Sequence, residues 1–535
     1  MERSDSIKKR YFYKLFVRIV SLFLYAAKVS LVPRALGPTH YGDFTFLSGI
    51  FTSITNFFEL GTSNAFLNYS AKNRKSGAAV IFYTLYSLAI PIILIIFIVA
   101  VNIFGYEQTF FPDQRMQYVY LAALFGWLLW LSNIVFGYSD AKGLTVVSEI
   151  VRLKVRVFFT LVLVALFIFQ YLDLTTFLIF CILETIGFVV YTIIYCAKDA
   201  DHSEYSWTEF KKSATALTRY FYQYSSPLFL YSVVVLLAGL WGRWFLQVVG
   251  GSTEQGFFGL SDKISSISLI FTVSMVPIFM SEFSKAHGNS DFETMRKLFR
   301  DNAKLFYFLA SVLAIFFVFH TPEITRLFAG DEFSGAILPI AIMAFYPMYQ
   351  TYAQMNGAVY YSTERTKLYR NIGIGFILVG IIANYFFVAP RNFFLPGLGL
   401  GAVGAAMAGV LVVIFSTNIQ LLFNCRYLKL KYREFVWHQV ISVLILLASM
   451  SVGKTIIKTV FSLFGLDLGV WIIFPSGILY CAFVVVLVFF VPRLTVGFDR
   501  PRTLFYVRMF LAKIKSIYQK PPLAPSGVSS DKIDM

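Results

Sequence analysis

The stretch IFYTLYSLAIPIILIIFIVAVNI, residues 81–103, decides the fold class. It contains no Asp, Glu, Lys or Arg. As a helix, an apolar run of about 20 residues matches the hydrocarbon thickness of a bilayer. Comparable runs recur at 118–138, 305–319 and 436–450. The pattern along the whole chain predicts fourteen helices, at 11–33, 41–70, 78–104, 116–138, 155–171, 173–197, 219–249, 256–283, 303–320, 335–361, 370–389, 397–424, 435–460 and 469–492. The chain therefore reads as an all-α, polytopic membrane protein.

Composition agrees. The 535 residues are 58% hydrophobic and only 14% charged, whereas a soluble domain carries about 25% charged residues. The formal net charge of +17 is not spread evenly. With the N-terminus in the cytoplasm, 37 of the 46 Lys and Arg fall in cytoplasmic segments. The outer loops hold only Arg34, Arg115, Arg326 and Arg391. That asymmetry is the positive-inside signature, so the charge implies no nucleic acid. It predicts an even number of spans, with both termini on the cytoplasmic face of the inner membrane. Met1–Arg10 leads into an apolar run that Lys28 interrupts, with no small-residue cleavage site, so we read a retained first helix. Cys181, Cys196, Cys425 and Cys481 form no CxxC pair, and the five histidines show no metal-ligand spacing, so no cofactor is implied.

The longest loop, 198–218, divides the chain. Residues 1–197 then form a first lobe of six helices, 219–424 a second lobe of six, and 425–492 a terminal helix pair. Residues 493–535 form a basic tail. Leu504, Val507, Leu511, Ile514 and Tyr518 fall on one face of that tail, which predicts an amphipathic helix on the anionic inner leaflet; residues 521–535 are expected to be disordered. Ser290 and Glu293 have the spacing of a capping box that opens a helix at 290. The two lobes carry a repeat. Leu36-Gly-Pro-Thr-His-Tyr-Gly-Asp-Phe44 and Val249-Gly-Gly-Ser-Thr-Glu-Gln-Gly-Phe-Phe258 match Gly37 with Gly250, Thr39 with Thr253 and Gly42 with Gly256 when a small gap is allowed. Six helices separate the copies, so they share one orientation. Parallel repeats predict two lobes related by an axis along the membrane normal.

Arg34-Ala-Leu-Gly-Pro-Thr-His-Tyr-Gly-Asp-Phe44, Phe58-Glu-Leu-Gly-Thr-Ser-Asn-Ala-Phe66, Gly256-Phe-Phe-Gly-Leu-Ser-Asp-Lys263 and Gly399-Leu-Gly-Ala-Val-Gly-Ala-Ala406 together resemble the oligosaccharide and polysaccharide flippases of the multidrug/oligosaccharidyl-lipid/polysaccharide exporter superfamily. The likeness covers roughly residues 8–492. It implies two six-helix bundles around a central cavity and alternating access. It also implies a polyprenyl-diphosphate-linked oligosaccharide as cargo, moved from the cytoplasmic to the outer leaflet for polysaccharide export. The expected partners are membrane lipids and a glycan polymerase with its chain-length machinery.

Such a protein makes no bonds, so its signature is charge inside helices, which is costly and faces a cavity or a partner. Lys28 and Arg243 lie at comparable depth on helices one and seven, and Lys263 follows Asp262 near the start of helix eight. Three such cations suit an anionic diphosphate; snorkelling to headgroups is the alternative. Asp262 either gates or neutralises a neighbour. Glu59 is either a gating or coupling carboxylate or a structural hydrogen bond at Gly61, and Glu184 has a weaker version of the same reading. Lys454 and Lys458 read as snorkelling side chains. Helix ten is rich in Tyr and amide groups, and Gln350 and Gln354 share a face suited to sugars or, equally, to helix–helix hydrogen bonds. Pro347 is expected to bend it. Gly399-x-Gly401-x-x-Gly404 opens an apolar helix with no preceding strand, and Gly453-Lys454-Thr455 lacks the upstream glycine of a phosphate loop; neither implies a nucleotide.

The expected activity is flipping driven by a proton or sodium gradient or by downstream consumption. Two rivals stand beside it. A cation-coupled multidrug antiporter of the same superfamily would need an acidic residue in helix one, where 11–33 has none. A membrane glycan polymerase or ligase would need larger acidic outer loops.

Overall fold

The computed structural model describes residues 7–59, 61–72, 77–198, 207–226, 229–269 and 276–501. The expected tail helix after 502 lies outside them. Among the described residues there is no strand. The helices are α1 (Ile7–Glu59), α2 (Thr62–Lys72), α3 (Gly77–Ile103), α4 (Glu107–Phe110), α5 (Met116–Ala141), α6 (Thr145–Ile168), α7 (Leu174–Lys198), α8 (Trp207–Ser225) and α9 (Phe229–Ser266). They continue with α10 (Val276–Gly288), α11 (Phe292–Phe319), α12 (Thr321–Ala329), α13 (Ile337–Met343), α14 (Tyr346–Ser362), α15 (Thr366–Val388), α16 (Gly401–Tyr427), α17 (Tyr432–Leu463) and α18 (Ile473–Phe490). Among the described residues, 11 helices are long and apolar enough to cross a membrane. The protein is a multi-pass membrane protein. The expected count of fourteen is not reached one for one. Two of the eleven are bent pairs of rods, and α6 carries too many charges near its start.

Those two bends organise the molecule. α1 turns at Gly37, whose φ of 67° only glycine adopts without penalty, and Pro38 starts the next rod. α9 turns at Gly251 with φ 69°. The structure therefore corrects the repeat register: Gly37 matches Gly251, not Gly250. The offset is then the 214 residues that separate Thr39 from Thr253, and Gly42 meets Gly256 with no gap. Repeat partners touch each other. Thr39 Oγ1 lies 3.1 Å from Thr253 Oγ1. A Cβ on Gly42 would fall 1.6 Å from the Ser252 carbonyl oxygen, and one on Gly256 would fall 2.1 Å from that of Pro38. Ser252 and Pro38 are themselves repeat partners, so the contact is reciprocal, as at an isologous interface. No helix pair packs more extensively than α1 and α9. We call this end of the bundle the corner side and the end that bears Ile7 the terminus side.

Other boundaries differ from expectation. The expected linker 198–218 holds a helix of its own, α8, which packs on α3 through buried Leu217 and Phe221, so the following rod starts at Phe229 rather than at 219. α6 starts at Thr145, ten residues early, because a helix with a polar first half reads as loop. α11 is one helix from Phe292 whose cap is Asp291, accepting from the Thr294 amide at 2.9 Å, not Ser290. Pro347 lies in the first turn of α14, and the break falls before it, between Met343 and Tyr346.

Candidate functional site

A cavity of about 940 Å³ lies between α1, α5, α6, α7 and α9. Lys28, Arg243, Asp262 and Lys263 all line it. Lys28 Nζ pairs with Glu184 Oε2 at 2.8 Å and sits 5.0 Å from the Phe180 ring centroid, so this cation is matched inside the wall. Arg243 Nη1 donates to the Thr45 carbonyl at 3.1 Å, and its side chain lies across Gly49. A Cβ at position 49 would stand 2.3 Å from Arg243 Nε, so the absent side chain makes the space the guanidinium fills. Lys263 is exposed to the cavity. Among the described residues neither Arg243 nor Lys263 has a carboxylate within 4 Å; Asp262 lines the same cavity without pairing either. In the corrected register Lys28 corresponds to Gly242 and Arg243 to Val29. The two cations are neighbours in the repeat rather than counterparts.

Three lining charges lie outside the set picked from sequence: Glu149, Arg152 and Arg156 of α6. The Arg152 guanidinium stacks 3.8 Å from the Phe136 ring centroid and 5.2 Å from that of Phe188. Arg156 is four residues on, hence on the same face. Their spacing was the available signal; the flanking basic residues Lys142 and Lys154 disguised it as a cytoplasmic loop. In all, five cations and three carboxylates line the cavity.

Glu59, Gln350 and Gln354 do not line it. Glu59 accepts from Ser63 Oγ across the break at Gly61, whose φ is 74°. Asn356 and Tyr360 of α14 bond to α16. Asn356 Nδ2 donates to the Thr417 carbonyl at 3.1 Å, Asn424 Nδ2 donates to Asn356 Oδ1 at 3.1 Å, and Tyr360 donates to the Gln420 carbonyl at 3.1 Å. Lys454 does not snorkel. Its Nζ donates to Glu323 Oε1 at 2.8 Å and to the Phe319 carbonyl at 2.6 Å, while buried His320 donates or accepts at Ser476 Oγ, 2.9 Å away.

A hydrogen-bonded network lies on the corner side of the bundle. Buried Asp43 accepts from Gln114 Nε2 at 2.7 Å and from Ser252 Oγ. Gln247 Nε2 donates to Ser252 Oγ at 2.9 Å and to the Pro112 carbonyl at 3.2 Å. This network ties α1 and the segment just before α5 to α9. In the other direction the lining runs to Val17, Glu149 and Arg152 near the terminus side.

No protein-family profile and no curated protein sequence matches the chain. Solved structures do. The structure titled lipid II flippase MurJ, inward closed conformation, superposes with a TM-score of 0.61 at 15% identity, covering 90% of this chain and 98% of its own. An inward-facing MATE-family multidrug resistance transporter of the MOP superfamily gives 0.55 at 12% identity, with 77% and 95% covered. A MATE structure in complex with MaD3S gives 0.50 at 13% identity, with 80% and 98% covered. These neighbours are transporters and a flippase rather than enzymes, and at such identities they establish the fold.

Proposed function

We propose that the protein is a flippase for a polyprenyl-diphosphate-linked oligosaccharide, working by alternating access in the cytoplasmic membrane, with the corner side outward and both termini in the cytoplasm. One observation carries the reading: the cavity holds more cations than carboxylates, and among the described residues Arg243 and Lys263 have no carboxylate within ion-pair distance. In a low-dielectric wall such cations are costly unless an anion visits them. A diphosphate is such an anion, and the cavity's polar flank of Ser48, Thr52 and Ser53 offers hydroxyls to sugars. The similarity to a lipid II flippase in fold supports the same reading. A cation-coupled drug antiporter is the weaker alternative: the carboxylate best placed to take an organic cation, Glu184, is already paired with Lys28. Drive from a proton or sodium gradient or from downstream consumption, the two-lobe division at 198–218, and a glycan polymerase as partner belong to the same proposal.

The test is a proteoliposome assay. A fluorescent polyprenyl-diphosphate oligosaccharide is placed in both leaflets and an impermeant quencher is added outside. Protein-dependent quenching beyond about half the signal is expected, and Arg243→Glu should abolish it. Quenching that stays at half under imposed proton and sodium gradients would overturn the flippase reading.

A further inference from the structure

We infer that Asp43, Gln114, Gln247 and Ser252 on the corner side form a binding site for one sodium-sized cation, which latches α1 to α9. Any use of that ion in driving transport rests on the flippase reading above; the site itself rests on the geometry of the corner. Asp43 is buried and supplies the one carboxylate of the group. Among the described residues it pairs with no lysine or arginine, and exposed His40 has Nδ1 3.4 Å from Oδ2. Gln114 Nε2 donates to Asp43 Oδ1 at 2.7 Å and lies 3.4 Å from Ser252 Oγ. Gln247 Nε2 donates to Ser252 Oγ at 2.9 Å and to the Pro112 carbonyl. Both amide nitrogens are thus spent, while both amide oxygens are left over. Gln114 is 6% exposed and Gln247 1%, yet neither Oε1 has a hydrogen-bond partner. A buried acceptor without a donor is costly. Each of these oxygens shares a carbon with a nitrogen already at Ser252, so both stand in one small cluster beside the buried carboxylate.

The donor set selects the ligand. Carboxylate, amide and hydroxyl oxygens suit a hard cation. One negative charge balances a monovalent ion, whereas a divalent one would leave buried charge in excess. Space is short, because a Cβ on Gly42 would fall 1.6 Å from the Ser252 carbonyl oxygen; backbone already meets backbone at this level, which favours sodium over the larger potassium. An amide exchanges its oxygen and nitrogen by turning over, with no change of shape. Turned over, Gln114 presents Oε1 to Asp43, and an ion between the two oxygens replaces the hydrogen bond. The four residues come from three segments: α1 beyond its bend, the stretch before α5, and α9 on both sides of Gly251. An ion held by all three binds only while they are joined, so by linkage it favours the joined corner. The site occurs once. At the repeat offset of 214 residues, Asp43 corresponds to Phe257 and Gln247 to Pro33.

The test uses the full chain with Thr39→Cys and Thr253→Cys, whose hydroxyls in the native protein are 3.1 Å apart across this corner. The rate of oxidative cross-linking is measured in NaCl, KCl and choline chloride at one ionic strength, in the same membranes. Sodium at a few times its Kd should speed cross-linking about threefold or more over choline, with potassium close to choline. Gln247→Leu and, separately, Gln114→Leu, each lacking one oxygen, should bring the sodium-to-choline ratio close to one. The ratio is read within each preparation, so a loss of folded protein cancels. The chain without the added cysteines should also show a higher Tm in NaCl than in choline chloride. Equal rates in NaCl and choline chloride, equal rates in NaCl and KCl, or a sodium effect that both leucine variants keep overturns the site. None of these readouts involves transport, so the flippase reading stands or falls separately, in the quenching assay.

Discussion

At the residue scale, Gly49 and Arg243 form a unit whose two members sit on different helices. The missing side chain of one is the seat of the other. Gly49→Ala would push a methyl to 2.3 Å from Nε, and the long arginine, not the backbone, would give way. We expect a folded protein with a Tm close to wild type and flipping slowed roughly tenfold or more, because a displaced charge no longer meets its target; size-exclusion profile and flipping rate measured together check this. Lys28, Arg243 and Lys263 are conspicuous in the sequence because a charge in an apolar helix has few reasons to be there. What each one touches is not written there. Lys28 is answered by Glu184, 156 residues away, and Lys454 by Glu323, 131 residues away. Asn356 and Tyr360 of α14 show the opposite failure: their polarity is plain in the sequence, yet the partners that consume it belong to α16.

At the scale of elements, the corner where α1 meets α9 brings two backbones into direct contact. Side-chain-free positions Gly42 and Gly256 let backbone meet backbone there, and a network around Asp43 and Ser252 seals it. The alternating access proposed above requires that this contact part. The Thr39 and Thr253 hydroxyls, 3.1 Å apart, supply a test. Thr39→Cys with Thr253→Cys should cross-link under mild oxidant, stop flipping and recover it on reduction, whereas either single variant should be indifferent to oxidant; gel mobility and flipping rate follow the two events. The sequence announces this corner through its glycines, but a one-residue register error survives there because Gly250 and Gly251 are adjacent and only the φ of 69° at Gly251 tells them apart. Helix α6 was harder to read. Its charged first half defeats an apolar search although helical spacing puts Arg152 and Arg156 on one face.

At the scale of the whole molecule, the terminal helices α17 and α18 are held to α11 and α12 by buried His320 and Ser476 together with half-buried Lys454 and Glu323. Burial alone would raise the Glu323 carboxyl, but His320, 3.7 Å away, and the hydrogen bond from Lys454 outweigh it and bring the group down to about 2 from an ordinary 4.5. A depressed carboxylate contributes stability above its unfolded pKa and loses it as pH falls toward the folded one. Glu323→Gln should therefore lower Tm in detergent at neutral pH, and its gap to wild type should close as pH falls from about 5 to about 2; a gap that ignores pH would remove the ion pair as its cause. The near two-fold at Thr39 and Thr253 bears on something larger. A lipid joined to a sugar by a diphosphate has no such symmetry: one end is grease, the other carbohydrate. In the proposed flippase, a repeated scaffold would read such a passenger's polarity only through residues present in a single copy. Lys28 opposite Gly242 and Arg243 opposite Val29 are such residues, so the proposed cargo's direction would be set where the repeat is broken.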